Sequence, residues 1–428
     1  MKKPWVFYGW VIVAVTFVTL VLGYTIRNSF SVFYPAIVEE FGWGRGNTAL
    51  MFSIALLVYG FVAPWAGRLV DRFSPRLVLP VGACIAGVGI ALCSLAATPW
   101  QFYLFYGVVA AAGLSLMGWT PITVIISNWF VKKRGLVYGI LGAGFGGSLM
   151  AASPAQVLIS RFGWQTAYII TGVVAVAVIV PLCSLLIRRA PRDKGLLPDG
   201  ATPRSSPAGD PDGPRAAASP QTKWSGTDWT LSRAMKTYQF WLLFFIAFNL
   251  LGFAETTAIA HQIYFFRDVG YAPIPAAQIY SVFGLAFMLG NLGSYLSDRF
   301  GRERVFMPSC LLAIAGVSLL FLMGDASHPW MPLLFAVSFG LGIGAAVPVF
   351  FTAVADLFQG SNFGSIQGTM ILGFSLGGAL APWLAGFLYD MTGSYFTTFL
   401  IIMGSLIASM VMMRLVAPGK LSPVSGGS

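Results

Sequence analysis

Two ionisable residues lie deep inside apolar segments of this chain, Arg27 in GYTIRNSF and Glu255 in GFAETTA. A charged side chain at the centre of a bilayer costs at least ~2.5–3.5 kcal/mol, so it persists where it meets water, a partner or a ligand. Tyr24 and Asn28 flank Arg27, and both can form hydrogen bonds. The chemistry that these residue types offer is the binding of a carboxylate by Arg27 and the uptake of a proton by Glu255.

The spacing of these two residues matches an internal repeat. The stretch GRLVDRFSPR around Asp71 recurs as SYLSDRFGRER around Asp298, 227 positions later, and Glu255 follows Arg27 by 228 positions. Two parallel repeats around a central cavity would make Arg27 and Glu255 face each other from equivalent places. Either they form a working pair that handles a ligand and a proton, or they form a static ion pair that holds the halves together.

The elements that position these residues are apolar and long. Of the 428 residues, 57% are hydrophobic and 10% are charged, against roughly 25% charged in a soluble domain, so the composition indicates a membrane protein. Apolar segments long enough to cross a ~30 Å hydrocarbon core lie near 8–34, 48–66, 77–97, 102–127, 136–159 and 165–187, and near 238–265, 277–296, 305–323, 331–354, 365–388 and 395–416.

These segments predict an all-α membrane protein with twelve transmembrane helices in two pseudo-symmetric six-helix bundles. We divide the chain into an N-terminal half (1–188), a linker (189–236) and a C-terminal half with a short tail (237–428). The linker is rich in Pro, Gly, Ala and Ser, a composition that cannot bury a core. Its end, 224–236, either forms a short amphipathic helix at the membrane surface or stays irregular.

Basic residues give the orientation. If the N-terminus is cytoplasmic, the outer loops hold Arg45, Arg161 and Arg267, and apart from Arg27 the inner segments hold the other 22 of the 26 basic residues. Positive charge marks the cytoplasmic side, so we expect both termini and the linker there. The net charge of +11 is therefore a topology signal, and nucleic acid is excluded as a partner. No cysteine cluster has metal-ligand spacing, and no nucleophile–base arrangement occurs, so we expect no metal, no cofactor and no enzyme activity.

Several sequence signatures point to one family. GxxxDRFxxR from Gly67, and DRFGR from Asp298, resemble the cytoplasmic loop signature of the major facilitator superfamily. WFVKKRGL from Trp129, and FYGW from Phe7, resemble signatures of its monocarboxylate transporter and oxalate/formate antiporter branch. The chain departs from that branch in two places, because span eight lacks the Asp and Arg of the animal transporters, and span eleven lacks the Lys of the oxalate antiporter.

The resemblance implies a major facilitator fold and transport by alternating access. We expect the protein to move a small organic monocarboxylate, similar to lactate or pyruvate, together with a proton across a bacterial inner membrane. The partners would be this anion, the proton and the lipid bilayer, and we expect a monomer. A proton-coupled exporter of a drug or metabolite is the alternative, and a membrane sensor that transports nothing is a third possibility.

Other residues complete the expected site. Tyr59, Trp119 and Thr123 are candidates to line the substrate cavity together with Arg27, Asn28 and Tyr24. Glu255 is the expected proton-coupling residue, and His261 is either a second one or a packed, hydrogen-bonded histidine.

The repeated loops are candidates for gating. Asp71 with Arg72, and Asp298 with Arg299, would hold an inner gate shut through helix-end and ion-pair contacts, or they serve only as topology signals. Asp356, at the inner end of span ten, belongs either to this gate or to a proton path.

The linker gives the first prediction. Deleting residues 203–219 should leave a protein that inserts and transports, because this stretch has no periodic apolar face. Size-exclusion chromatography in detergent and uptake in vesicles measure the two properties. Loss of monodisperse protein after the deletion would contradict the assignment of this stretch as a linker.

Overall fold

The computed structural model describes residues 7–130, 134–197, 229–358 and 363–416. Residues 198–228, which contain most of the predicted linker, lie outside the described part of the chain, and so do the side chains of Asp71 and Asp298. Within the described residues the secondary structure is helical, which agrees with the predicted all-α membrane fold.

The N-terminal half begins with a helix that is interrupted once. Span 1 consists of Gly9–Asn28 and Phe30–Phe41, span 2 of Arg45–Arg72, and span 3 of Pro75–Cys93. Span 4 consists of Pro99–Phe102, Tyr103–Ala110, Ala111–Leu116 and Trp119–Trp129. Span 5 consists of Arg134–Leu149 and the part of Ala152–Leu186 that precedes Gly163, and span 6 is the part that follows Gly163.

The C-terminal half follows the same order. Span 7 consists of Tyr238–Ile246, Ala247–Glu255 and Thr256–Asp268, span 8 of Pro273–Gly293, and span 9 of Arg302–Phe321. Spans 10, 11 and 12 are Trp330–Phe358, Phe363–Thr392 and Phe396–Val416. Three short helices lie at the ends of spans or in the described parts of the linker: Pro191–Lys194, Leu231–Ala234 and Leu296–Phe300. Of the predicted surface helix at 224–236, the structure shows Leu231–Ala234.

Eleven helices in the described chain are long and apolar enough to cross a membrane, and one of them is long enough to cross it twice. Val137–Leu186 has 50 residues, about 75 Å of helix, which is more than two hydrocarbon thicknesses. Gly163 divides it, because its φ of 80° and ψ of 161° are not helical. The prediction of twelve spans is therefore confirmed, with spans 5 and 6 joined through Gly163.

We call the end of the bundle that holds Gly9, Arg72, Arg299 and Val416 the inner end, after the predicted topology, and the opposite end the outer end. The two halves meet through spans 2 and 11 and through spans 5 and 8. Their backbones come close where small residues face each other, since a Cβ on Gly146 would lie 2.7 Å from the carbonyl oxygen of Gly284. Small residues permit such close packing between helices in a membrane.

Four helix irregularities lie in the spans around Arg27. Span 1 is interrupted at Ser29, and span 4 is interrupted at Met117 and Gly118, where Gly118 has an extended conformation. Spans 4 and 7 also contain π-helical segments, Tyr103–Ala110 and Ala247–Glu255. π-Helical segments are rare and often lie at functional sites, so these irregularities direct attention to the centre of the bundle.

Candidate functional site

The Arg27 guanidinium lies at the centre of the bundle among aromatic rings. The residue is 8% exposed, and Cζ lies 5.0 Å from the ring centre of Tyr24, 5.2 Å from that of Phe145 and 6.0 Å from that of Tyr59. A ring face attracts a cation, by about 2 kcal/mol or more when the cation is desolvated. These rings partly replace the water that the charge loses, but they supply no negative charge.

The guanidinium has unused hydrogen-bonding capacity. Among the described groups, its hydrogen bond goes from Nε to Asn28 Oδ1 at 3.4 Å, so Nη1 and Nη2 have no acceptor there. Neither nitrogen is fully buried, and Arg27 lines a cavity with Thr19, Gly23 and Met117. A planar guanidinium with two open nitrogens is suited to bind a carboxylate through two parallel hydrogen bonds.

Neighbouring residues fix the backbone around Arg27. The Tyr106 hydroxyl donates to the Arg27 carbonyl at 2.7 Å, Asn28 Nδ2 donates to Ser148 Oγ at 2.9 Å, and the Tyr280 hydroxyl donates to the Asn28 carbonyl at 3.5 Å. Sequence analysis missed Tyr106, Phe145 and Tyr280. Their common signal is weak, since each is one aromatic residue among many in apolar segments. Tyr280 lies in span 8, the span that lacks the Asp and Arg present in the animal monocarboxylate transporters.

Glu255 is buried on the opposite half. It ends the π-helical segment of span 7, is 6% exposed, and its Oε2 has no hydrogen-bond partner among the described groups. Arg27 acts on it electrostatically, but the two do not form an ion pair in the described structure. The two ionisable residues that the sequence places deep in spans are both buried, and the structure shows no ion pair between them.

The other predicted cavity residues divide into two groups. The Tyr59 hydroxyl accepts a hydrogen bond from the backbone nitrogen of Trp119 at 3.3 Å, so Trp119 joins the site where span 4 is interrupted. Thr123 lies one turn nearer the inner end, and its hydroxyl donates to the carbonyl of Thr120 at 2.8 Å in its own helix. The structure brings Tyr24, Asn28, Tyr59 and Trp119 around Arg27, whereas Thr123 lies beside this group.

His261 lies nearer the outer end with both ring nitrogens engaged. Nε2 is 2.8 Å from the Pro382 carbonyl oxygen, and Nδ1 is 3.1 Å from the Tyr395 hydroxyl. A carbonyl oxygen only accepts, so Nε2 carries the proton and Nδ1 accepts from Tyr395. This geometry matches the packed, hydrogen-bonded alternative of the sequence analysis.

An outer cluster of side chains joins the two halves, and sequence analysis did not predict it. Arg45, at the start of span 2, contacts Asp268 through Nη1 at 2.5 Å and Nη2 at 2.7 Å. Its Cζ lies 3.7 Å from the ring centre of Tyr264 and 3.5 Å from that of Tyr389. Asp390 accepts hydrogen bonds from the backbone nitrogens of Arg45 and Gly46 at 2.9 and 2.8 Å. Arg45 therefore binds spans 7 and 11 of the other half.

Equivalent residues of the two halves touch each other at this end. Arg267 Nη2 pairs with Glu39 Oε1 at 2.7 Å, and the Ser31 hydroxyl donates to the Ile259 carbonyl. Both pairs are separated by 228 positions, the same offset as Arg27 and Glu255. Residues at equivalent positions can touch only near the pseudo-two-fold axis, so this axis runs between spans 1 and 7. The repeat offset alone could have found the Glu39–Arg267 pair.

Contacts at the inner end stay within each half among the described side chains. Asp356 pairs with Arg302 Nε at 2.9 Å in the C-terminal half, and Asn128, at the equivalent position, donates to the Arg189 carbonyl at 3.3 Å. The guanidinium carbons of Arg72 and Arg299 lie near the following rings, at 5.6 and 5.7 Å from the centres of Phe73 and Phe300. The described ion pairs between halves thus occur at the outer end, and the gating role proposed for Asp71 and Asp298 rests on the sequence.

Comparison with known proteins supplies the family. The family model described as Major Facilitator Superfamily matches residues 16–357 and 291–427. This chain belongs to the major facilitator superfamily. It is a multi-pass membrane protein of the transporter class, and the family predicted from the loop signatures is confirmed.

Several relatives within the superfamily are monocarboxylate transporters. Monocarboxylate transporter 13 of Rattus norvegicus is 26% identical over 92% of this chain and 85% of its own length. Monocarboxylate transporter 11 of Homo sapiens is 28% identical over 94% of this chain and 81% of its own. The uncharacterized MFS-type transporter YcxA of Bacillus subtilis is 25% identical over 90% of each chain.

A solved structure supports the fold. The chain matches a bacterial homolog of the human lysosomal transporter Spinster, in its inward-facing and unoccupied conformation, with a TM-score of 0.63 and 18% identity. The match covers 97% of this chain and 96% of that one. At this identity the match supports the fold alone.

The outer cluster generates the second prediction. Arg45→Gln removes the bidentate ion pair and the cation–ring contacts, so the halves should separate more often at the outer end. We expect a Cys introduced at Ser31, in a background with the four native cysteines replaced by alanine, to react several-fold faster with a membrane-impermeant maleimide added outside.

Arg161→Gln is the matched control for this experiment. It removes the same charge from another predicted outer position, and Arg161 is exposed. The control should leave the labelling rate unchanged. Equal rates in Arg45→Gln and the unaltered background would show that the outer cluster does not keep the halves closed.

Proposed function

We propose that this protein carries a small organic monocarboxylate together with a proton by alternating access. Arg27 binds the substrate carboxylate, and Glu255 carries the proton. The observation that supports the proposal most is the buried Arg27 guanidinium, which lines a cavity and whose two terminal nitrogens have no acceptor among the described groups. The names of the relatives, monocarboxylate transporters 11 and 13, point to the same substrate class.

A bound carboxylate would supply the negative charge and the hydrogen-bond acceptors that Arg27 lacks among the described groups. The three surrounding rings stabilise the cation without neutralising it, and a bidentate carboxylate would add both the missing charge and two acceptors. Removing one partner of a buried, hydrogen-bonded charge pair typically costs about 2–5 kcal/mol, or roughly 30- to several-thousand-fold in affinity. Tyr24, Tyr59 and Asn28 would orient the rest of a small substrate, with Trp119 at the break in span 4.

Glu255 completes the proposed coupling. When a substrate carboxylate binds Arg27, it compensates the charge that otherwise attracts Glu255, so protonation of Glu255 becomes more favourable. Substrate and proton would then cross together without net charge. His261 fits this role less well, because its Nε2 donates to a carbonyl that cannot accept a transferred proton.

The arrangement of the halves suggests which step of the cycle the structure resembles. The described ion pairs between halves lie at the outer end, as in a transporter closed to the outside. In the proposed cycle the Arg45 cluster breaks when the outer side opens, and the loops of Asp71 and Asp298, with Asp356, act at the inner end. We also propose an inner-membrane location, cytoplasmic termini and linker, and a monomer of two six-helix halves.

The third prediction separates the working pair from a static one. Arg27→Gln should abolish uptake and remove the thermal stabilisation that lactate or pyruvate gives to purified protein, since a ligand of the folded state raises its melting temperature. Glu255→Gln should retain binding and substrate exchange but lose accumulation driven by a pH gradient. Uptake and exchange in proteoliposomes measure both.

A charge-swapped protein, Arg27→Glu with Glu255→Arg, distinguishes a static ion pair from the proposed working pair. A static ion pair predicts that both single variants fail alike through instability and that the double variant recovers transport. Accumulation by Glu255→Gln on a pH gradient would remove Glu255 from the proton path. Stabilisation by bulky lipophilic cations, without any response to carboxylates, would favour the exporter instead.

A further inference from the structure

A chain of hydrogen bonds connects His261 to the outer cluster. Arg45 Nη1 donates to the Tyr395 hydroxyl oxygen at 3.1 Å, and that hydroxyl lies 3.1 Å from His261 Nδ1. The other ring nitrogen, Nε2, donates to the Pro382 carbonyl oxygen at 2.8 Å. His261 and Pro382 lie in spans 7 and 11, and Tyr395 directly precedes span 12. Arg45 begins span 2, so the chain links three elements of the C-terminal half to the N-terminal half.

This chain of hydrogen bonds requires a neutral imidazole. A guanidinium only donates hydrogen bonds and a carbonyl oxygen only accepts them, so the Tyr395 O–H donates to Nδ1, the ring nitrogen without a proton. Tyr395 accepts from Arg45 at the same time. No other acceptor for the Tyr395 O–H occurs among the described hydrogen bonds. The chain is therefore complete only while His261 carries no charge.

A proton on Nδ1 of His261 would break this chain. Both ring nitrogens would then be donors, and the new N–H would point at the oxygen that already accepts from Arg45. The Tyr395 hydrogen would lose its acceptor. His261 is 3% exposed, so water has little access to replace the lost partners, and a buried polar group without a partner is costly. Tyr395 would have to leave either Arg45 or His261.

The other groups that face His261 belong to the outer cluster or contact it. Arg45 and Asp390 act on the imidazole electrostatically, and the ring centres of Tyr34 and Tyr395 lie 5.4 and 5.6 Å from its centre. The Tyr34 hydroxyl donates to the Arg45 carbonyl at 2.8 Å. Span 8, which also packs against this part of span 7, contains no charged residue in its helix. A charge on His261 therefore acts first on the outer cluster.

The carboxylates of the outer cluster already have partners. Asp268 accepts from both terminal nitrogens of Arg45, and Asp390 accepts from two backbone nitrogens at the start of span 2. A carboxylate that turned towards a protonated His261 would give up one of these charge-assisted contacts between the halves. Protonation therefore weakens the outer cluster whether Tyr395 or a carboxylate moves.

We propose that His261 is a proton-operated latch at the outer end. When the halves separate there, the imidazole meets water, in which a histidine takes up a proton near pH ~6.5. The protonated ring then keeps Tyr395 from completing the chain to Arg45, and loss of the proton lets the outer cluster close. Because the open state binds a proton that the closed state excludes, acid on the outer side favours opening.

This latch goes beyond the proposed carboxylate transport. It acts without substrate, and the proton on His261 returns to the side from which it came, whereas the proton on Glu255 would cross the membrane. The two proposals are therefore tested by different measurements. Transport tests the carboxylate carrier, and the opening of the substrate-free protein tests the latch.

The distance between the outer ends of the two halves tests the latch. Spin labels on Ala97→Cys and Gly324→Cys, in the background without native cysteines, report this distance by double electron–electron resonance. Ala97 is exposed, and a Cβ at Gly324 would meet no atom within 4 Å. Between about pH 7.5 and about pH 5.5, the ratio of open to closed molecules should rise roughly ten-fold, given protonation of the open state near pH ~6.5. An unchanged distance distribution, or closure in acid, overturns the proposal.

The two histidines of the chain provide a variant and its matched control. His261→Asn offers an acceptor to Tyr395 and His261→Gln offers a donor to Pro382, but neither takes up a proton, so the response to acid should disappear in each variant that stays monodisperse. His328→Asn removes the other histidine, which is exposed, and should retain the full response. A response that persists in either folded His261 variant overturns the latch and assigns the effect to another group such as Glu255. Loss of the response in His328→Asn also overturns it.

Discussion

A buried cation that has no matching anion among the described groups is the constraint on which the rest of this structure depends. Arg27 sits at the centre of a membrane protein, where solvation by water is largely lost. Three aromatic rings, the interruption of span 1 and a cavity surround the Arg27 guanidinium, and no described carboxylate pairs with it. Had Glu255 paired directly with Arg27, both charges would be satisfied and neither would need a ligand. The separation of the two groups leaves the guanidinium without a carboxylate partner among the described groups.

The sequence predicted the architecture because its signals are strong and repeated. Lengths of apolar segments, the distribution of basic residues and the duplicated DRF loops each indicate the same twelve-span fold. It also identified Arg27 and Glu255, since ionisable residues are rare in such segments. The linker and the side chains of Asp71 and Asp298 lie outside what the structure describes, so the predictions for them stand as made.

The sequence could not predict features that depend on packing between distant helices. The π-helical segments that carry Tyr106 and Glu255 have no clear local signature, and the aromatic residues around Arg27 resemble many others in the spans. Arg45 was counted as a topology marker, although its partners Asp268 and Asp390 come from the other half. Thr123 was placed in the cavity by span, and the structure shows it one turn from Trp119, with its hydroxyl bonded within its own helix.

The contact between equivalent residues has a consequence for how such a protein can arise by duplication. A side chain on a two-fold axis meets its own copy when the two halves are identical, so Glu39 would face glutamate and Arg27 would face arginine. Opposite charges can face each other at these positions only after the two copies have diverged in sequence. Two identical halves would therefore place like charges at the Glu39–Arg267 and Arg27–Glu255 positions, and the opposite charges found there are a departure from exact two-fold symmetry.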